Sequence, residues 1–409
     1  MTAPTVLHAP AVVLGGGVIG LAVFRALAAS PLFRNPVLLE KGRMFGQETS
    51  SRNSGVVHSG IYHSEKMLKG RLCRRGRDML YEYCEGKGVE VLRCGKIVVA
   101  ADAGEMAYVR KLHAEAGRLG VPSPELLETP EAVKEYEPGV RGVGGVRFGS
   151  TGVVDVVDLL GKLQVEGEEE GGVALVNSKP IKLKRADRLT NGGEGGWTLT
   201  VSQDKETYAI QSPLVVNATG HSAPEVYTAL GLVSPPITPP RHYFARGHYF
   251  KFSSPSPVVN GLVYPVPNKD LSGLGIHATK NLDGSVKFGP DVEWLDPSIR
   301  DYDPSFYSVR EEHIEALKPK FQAAIEKYLP EIGADGGGLE YDYSGVRPKL
   351  THVEAGRGGG DWNGGTDFWI KQDSMGWINL FGIESPGVTS SLAIAELVVK
   401  TAENRMNIK

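Results

Sequence analysis

The stretch Ala11-Val12-Val13-Leu14-Gly15-Gly16-Gly17-Val18-Ile19-Gly20 decides the fold. An apolar strand runs straight into a glycine-rich turn, and Leu21, Phe24, Leu27 and Ala28 continue as an apolar helix face. Each spaced glycine has a physical task. Gly15 permits the tight strand-to-helix turn, Gly17 lets the backbone approach a pyrophosphate, and Gly20 lets the helix pack near the strand. The helix N-terminus adds unpaired N–H groups and the positive end of a dipole. Beyond it, a second apolar run, Val37-Leu38-Leu39, ends in Glu40. A carboxylate there accepts hydrogen bonds from a ribose diol and repels a 2′-phosphate, which favours NAD or FAD over NADP. Residues 11–40 therefore predict a strand–helix–strand dinucleotide-binding unit.

The 409 residues can bury a large core and suggest about two domains. Hydrophobic residues make up 41 % and charged residues 23 %, as in an ordinary globular protein. A net charge of −3 gives no electrostatic pull toward nucleic acid or an anionic membrane. Cys73, Cys84 and Cys94 are odd in number and lack CxxC spacing. Free thiols in a reducing compartment are expected, with neither a zinc site nor a dithiol centre. No apolar run reaches transmembrane length, and the residues ahead of the first strand are too few for a signal peptide. The expected location is the cytoplasm or the mitochondrial matrix, not the secretory route.

Further along, residues 64–86 read as a helix whose basic face (Lys66, Lys69, Arg71, Arg74, Arg75, Arg77) is expected to be solvated. Residues 96–101 and 173–176 read as strands, 103–119 and 155–170 as helices, and 122–138 as loop and short helix. Residues 180–211 read as paired strands joined by the turn Asn191-Gly192-Gly193-Glu194-Gly195-Gly196. Between 241 and 300, His248–Phe252, Gly261–Pro265, Gly273–Thr279 and Ser285–Gly289 suggest an antiparallel sheet. Helices are expected at 306–330 and Val388–Lys400, and a glycine-rich loop at 354–368 reads as a lid or an insertion. The fold class is α/β: a Rossmann-like domain (1–90, 151–240, 341–409) interleaved with a second domain on an antiparallel β-sheet (91–150, 241–340). No second GxGxxG unit follows, so a separate NADH site is not expected.

Five segments carry a family resemblance: Glu48-Thr49-Ser50-Ser51-Arg52-Asn53-Ser54-Gly55-Val56-Val57-His58, Asn217-Ala218-Thr219-Gly220, Leu262-Val263-Tyr264-Pro265 with Gly275-Ile276-His277-Ala278-Thr279, Gly345-Val346-Arg347-Pro348-Lys349, and Gly382-Ile383-Glu384-Ser385-Pro386-Gly387-Val388-Thr389. Their order and spacing resemble the FAD-dependent oxidoreductases of the D-amino-acid-oxidase superfamily, and within it the L-2-hydroxyglutarate dehydrogenase/oxidase family. The resemblance implies FAD, bound non-covalently, with its ring between the two domains. It implies oxidation of a 2-hydroxy acid to a 2-oxo acid by hydride transfer to flavin N5, with oxygen, a quinone or an electron carrier as acceptor. It places FAD against Gly15, Gly17, Val18, Ile19, Gly20, Glu40 and Lys41, and against Thr49, Ser50, Ser51, Arg52, Asn53, Ser54, Val57 and His58. Further contacts are implied at Ala218, Thr219, Gly220, Gly382, Glu384, Ser385, Pro386, Gly387, Val388 and Thr389. Ser385-Pro386 reads as a capped helix start. That helix would face negative charge developing on the reduced flavin.

A small carboxylate substrate needs a cation and a base. Arg347 has the planar fork that matches a carboxylate and stands where the resemblance implies an arginine-bearing strand. The base near neutral pH is a histidine, either His58 or His277. Tyr62, His248 and Tyr264 are further expected substrate contacts. Two other functions fit the same fold: oxidation of an amine or amino acid, which needs no strong base, and nucleotide binding without catalysis.

Overall fold

The apolar runs of the first forty residues form the middle of a six-stranded sheet. The computed structural model describes residues 6–191, 194–229, 237–252, 259–267, 275–333, 338–352, 366–373 and 376–407. The sheet runs in the order Val173–Leu175, Val37–Leu39, Val12–Leu14, Val215–Asn217, Trp377–Phe381, Trp369–Gln372. The first five strands are parallel and the last is antiparallel.

Because successive side chains point to opposite faces, this sheet feeds two cores. Ala11 and Val13 face the helices Val18–Ala29, Val156–Glu169 and Gly387–Asn407. Val12 and Leu14 face a four-stranded sheet through Trp197, Leu199, Val201 and Ile210. Over the stretch expected to hold paired strands, that second sheet has three, Ser178–Arg188, Glu194–Gln203 and Glu206–Ser212, and it adds Val6–His8, which sequence periodicity did not reveal. Part of the expected turn, residues 192–193, lies outside the described residues.

The larger sheet has nine strands and packs the helix Glu311–Ile325 through Leu317, Phe321 and Ile325 onto Phe250, Val263 and Phe288. It is antiparallel as expected, except that Leu262–Pro265 runs parallel to Lys96–Ala100. Tyr243–Phe252 pairs with Leu339–Lys349 along its length. Two readings need adjustment and a third is not tested. Residues 124–127 form an edge strand in the stretch expected to be loop and helix. The expected strand Gly273–Thr279 is observed only as Ala278–Lys280, and residues 273–274 lie outside the described residues. Most of the loop at 354–368 lies outside them too.

The helix Leu68–Lys87 departs from the solvated-face reading. Lys69 and Arg77 are buried, and Arg74 donates to the carbonyls of Gly60 and His63. Lys69 turns inward because the helix start lies against the cavity described below, and Arg74 and Arg77 because they bond the carbonyls of the segment 59–63. The three cysteines are free, and among the described residues no helix is long and apolar enough to cross a membrane.

Phe24 is fully buried between the six-stranded sheet and its helices. A Cβ added at Gly167 would sit 2.4 Å from its ring. So tight a site cannot collapse around a truncation. Phe24→Ala is expected to lower stability by about 3–5 kcal/mol, read from the urea midpoint; a loss below about 1 kcal/mol would show that the site relaxes.

Candidate functional site

A cavity of about 700 Å³ opens where the carboxyl ends of the parallel strands meet the nine-stranded sheet. This is where open α/β sheets bind ligands. At one end lies the glycine turn. Gly15 has φ +97°, and a Cβ there would come 2.5 Å from the Ala218 carbonyl oxygen. Gly20 stands behind the turn, where a Cβ would meet the Gly15 carbonyl at 1.8 Å. It makes room for the turn and does not itself line the cavity. The N–H of Gly16 donates to Glu40 Oε2 at 2.7 Å and that of Gly42 to Glu40 Oε1 at 2.6 Å. The N–H of Val18 donates to Ser50 Oγ at 2.9 Å. Ile19 lines the same wall.

The loop 48–58 wraps this end. Lys41 pairs with Glu48 at 3.0 Å. Asn53 spends its side chain on the loop, donating to the carbonyls of Thr49 and Ser50 and accepting from Gly55. Thr49 donates to the Val346 carbonyl, and Arg52 lies over the Tyr307 ring. Ser54, Ala218, Thr219 and Gly220 also line the cavity. Ser51, Val57 and Gly382 do not. Ser51 is exposed, and Val57 is a buried strand residue paired with Gly152. Gly382 donates to His242 Nε2 from a left-handed turn.

The other end is built by alternation along strands. Gly345, Arg347 and Lys349 face the cavity from one strand, and Gly247 and Tyr249 from its neighbour. His248, between those two, therefore points away. It meets Asp291 and Glu293 and is not a cavity residue, which corrects its expected substrate contact. Arg347 donates to the Asp291 carbonyl at 2.7 Å. Tyr62, Tyr264, His58 and His277 complete the lining.

The helix expected to be capped by Ser385 begins at Gly387. Ser385 Oγ instead meets His58 Nε2 at 3.3 Å, and Thr389 Oγ1 accepts from the His58 N–H. Glu384, Pro386, Gly387 and Val388 line the cavity beside them.

Three lysines here were not picked out from sequence. Lys69 and Lys349 hold Glu384 between them at 3.4 and 2.8 Å. Burial pushes the Glu384 carboxyl up, but Lys349 and Lys69 outweigh it and leave it at about 2. Lys96 is buried, and its Nζ lies over the rings of Tyr62 and Tyr264 at 4.3 and 4.7 Å. Burial lowers this ammonium to about 7. The signal for Lys349 was legible: it stands two residues after Arg347, hence on the same face. Lys96 opens an apolar strand, where a charge has to be explained.

Both histidines are neutral at pH 7. Burial pushes His277 down to about 3, with Lys96 and Arg347 adding to it. Burial also lowers His58, with Lys96 next. His277 stacks on Tyr264 with ring centroids 3.8 Å apart. Its Nδ1 faces the Gly275 carbonyl at 3.0 Å, which fixes Nδ1 as the protonated nitrogen. Among the described residues its Nε2 has no hydrogen-bond partner, and neither do Lys96 Nζ and Tyr62 Oη. Buried polar atoms without partners are rare, and these three face a cavity that runs back to the glycine turn. The residues fit a dinucleotide at one end and a polar group at the other.

The comparisons agree. Residues 11–401 match the family model described as FAD dependent oxidoreductase, and the chain belongs to that family. It is 34 % identical over 411 residues to an L-2-hydroxyglutarate dehydrogenase, mitochondrial, from Arabidopsis thaliana, covering 94 % of this chain and 81 % of the relative. Two solved structures share the fold. The L-alpha-glycerophosphate oxidase from Mycoplasma pneumoniae, with FAD bound, has a TM-score of 0.79 at 21 % identity, covering 97 % of this chain and 95 % of its own. A glycine oxidase from Geobacillus kaustophilus has a TM-score of 0.75 at 18 % identity, with the same coverage.

Removing the carboxylate of Glu384 leaves two buried ammonium groups facing each other. Glu384→Gln is expected to cost about 3–5 kcal/mol of stability. The folded pKa is depressed, so this contribution is fully present above about pH 4.5 and is lost as pH falls toward 2. Urea unfolding of both proteins across that range tests the pairing. A gap between them that stays constant down to pH 2 would rule it out.

Proposed function

We propose that this protein oxidises a 2-hydroxy acid of the L-2-hydroxyglutarate type to its 2-oxo acid. What carries the reading is that Arg347 and the partnerless Nε2 of His277 line the same cavity as the glycine turn. When bound, FAD supplies the hydride-accepting chemistry at flavin N5. Gly15, Gly17, Val18, Ile19, Glu40, Lys41, Ser50 and Arg52 would hold it, non-covalently, along the wall they form.

The protein's own residues do the rest. Arg347 is braced by the Asp291 carbonyl, and its fork takes the substrate carboxylate. His277 is the base. Its Nδ1–H is tied to Gly275, so Nε2 carries the lone pair that accepts the hydroxyl proton. Burial keeps that nitrogen unprotonated beforehand, and the incoming carboxylate offsets the charge it then gains. His58 is the other candidate, but its Nε2 meets Ser385, which suits a positioning role. The N-terminus of the helix Gly387–Asn407 and Lys96 add positive potential to the cavity that would receive the substrate anion.

The relative's name supports this substrate class and, by the word dehydrogenase, an acceptor other than oxygen: a quinone or an electron carrier. The same name supports a mitochondrial location over the cytoplasm. The likeness to a glycine oxidase speaks for the fold alone. The segments 1–90, 151–240 and 341–409 are read as the FAD-binding domain. Leu339–Lys349 pairs with the larger sheet, so the last boundary is better drawn after it.

Anaerobic addition of L-2-hydroxyglutarate is expected to bleach the oxidised flavin band. Persistence of the band, with bleaching by an amino acid, would move the reaction to a C–N bond. His277→Ala is expected to slow flavin reduction by roughly 10²–10⁴-fold with little change in substrate affinity; wild-type rates would remove it as the base. Lys96 loses its charge near pH 7, so KM is expected to rise as pH climbs through that value. In Lys96→Met that rise should be absent; a KM that still climbs would assign the effect to another group.

A further inference from the structure

We propose that this protein carries a divalent-cation site on the far side of the larger sheet, formed by His248, Glu293 and His313. It is independent of the oxidation assigned above and lies outside the cavity. The pleat that places Gly247 and Tyr249 in the cavity turns His248 the other way. Its ring is fully buried, and its Nε2 lies 3.1 Å from Glu293 Oε2. His313, on the helix Glu311–Ile325, brings its Nε2 to 3.4 Å from the same oxygen. The three ligand atoms lie within 4.8 Å of one another, all three are buried, and among the described residues none has hydrogen-bond geometry with a partner.

The two spacings to Glu293 Oε2, 3.1 and 3.4 Å, match those of neighbouring ligands around a tetrahedral ion. Bonds of about 2.0–2.1 Å place neighbouring ligand atoms about 3.3 Å apart. Two imidazoles and a carboxylate suit a borderline first-row cation, zinc foremost. The usual outer support is present as well. His248 Nδ1 faces Asp291 Oδ1 at 2.8 Å. A carboxylate there makes Nδ1 the protonated nitrogen and leaves the Nε2 lone pair for a metal. The side chains of Glu293 and His313 are 32 % and 40 % exposed, so the cluster lies close to the surface although its ligand atoms are buried.

Two cations border the cluster. Lys320 holds the other oxygen of Asp291 at 2.7 Å. Arg246 Nη1 lies 3.5 Å from Glu293 Oε2, but its guanidinium is also anchored on the carbonyls of Phe306 and Ser305. With Asp291 and Glu293 ionised these four charges balance, and an ion on the Nε2 lone pair of His248 excludes a proton there. The rival arrangement is that proton itself, an imidazolium held between Asp291 and Glu293, with His313 a bystander. An ion would tie the start of the helix to two strands. It would also stiffen the segment whose Asp291 carbonyl holds Arg347.

The test uses the full flavin-loaded chain, stripped with a chelator and titrated with zinc chloride alone by equilibrium dialysis, with the thermal midpoint as second readout. Wild type is expected to take up one equivalent and melt higher with zinc. His313→Ala, a half-exposed site outside the cavity, should fold, keep its flavin spectrum and bind zinc at least tenfold more weakly, without the thermal shift. Glu293→Gln should behave likewise. Equal zinc binding by wild type and both variants would overturn the site, as would wild type that neither binds zinc nor gains stability from it. Failure to oxidise hydroxy acids would leave this result untouched, since neither readout involves turnover.

Discussion

The close approach between the glycine turn and the strand Val215–Asn217 is the constraint on which the other features depend. No side chain fits at Gly15 because the Ala218 carbonyl occupies that space. None fits at Gly20 because the Gly15 carbonyl does. The helix start is thereby pressed against the ends of the central strands. Its N–H groups and the Glu40 carboxylate come to one wall of a long cavity. The loop 48–58 can close over that wall because Ser50 reaches the Val18 N–H.

At the far end the governing quantity is charge. Lys69, Lys96, Arg347 and Lys349 line the cavity with Glu384 among them. Burying such groups is costly unless they are paired or await an anion. Glu384 meets the need of two of them, while Lys96 has only aromatic faces. The same positive field and the same burial keep His58 and His277 unprotonated. The proposed anion capture and proton acceptance thus rest on one physical origin: a buried pocket with surplus positive charge.

How much of this was readable in advance depends on the range of the interaction. The parallel strands, the turn and Glu40 follow from local spacing, and the sequence showed them plainly. Arg347 and the two histidines were found through motif resemblance, and the structure brings all three to the cavity. His248 shows the limit of that approach. It lies one residue from Gly247 and Tyr249, but strand alternation turns it to the opposite face. Register along a strand is set by pairing with Leu339–Lys349, nearly a hundred residues away. Lys69 looked like part of a solvated helix face because helical spacing cannot reveal which face a distant segment covers. Asp367 caps that helix at Leu68 and Lys69, from the other end of the chain.

The sequence by itself therefore determined the dinucleotide unit, the α/β class, the alternation of segments and the residue types available for chemistry. These rest on periodicity and on backbone freedom at glycine, which act within a few residues. Only the tertiary structure decided which charges share a pocket, which imidazole nitrogen is left without a partner, and which face of the larger sheet each histidine occupies. Those outcomes depend on burial and on contacts between residues far apart in the chain, and no local pattern encodes them.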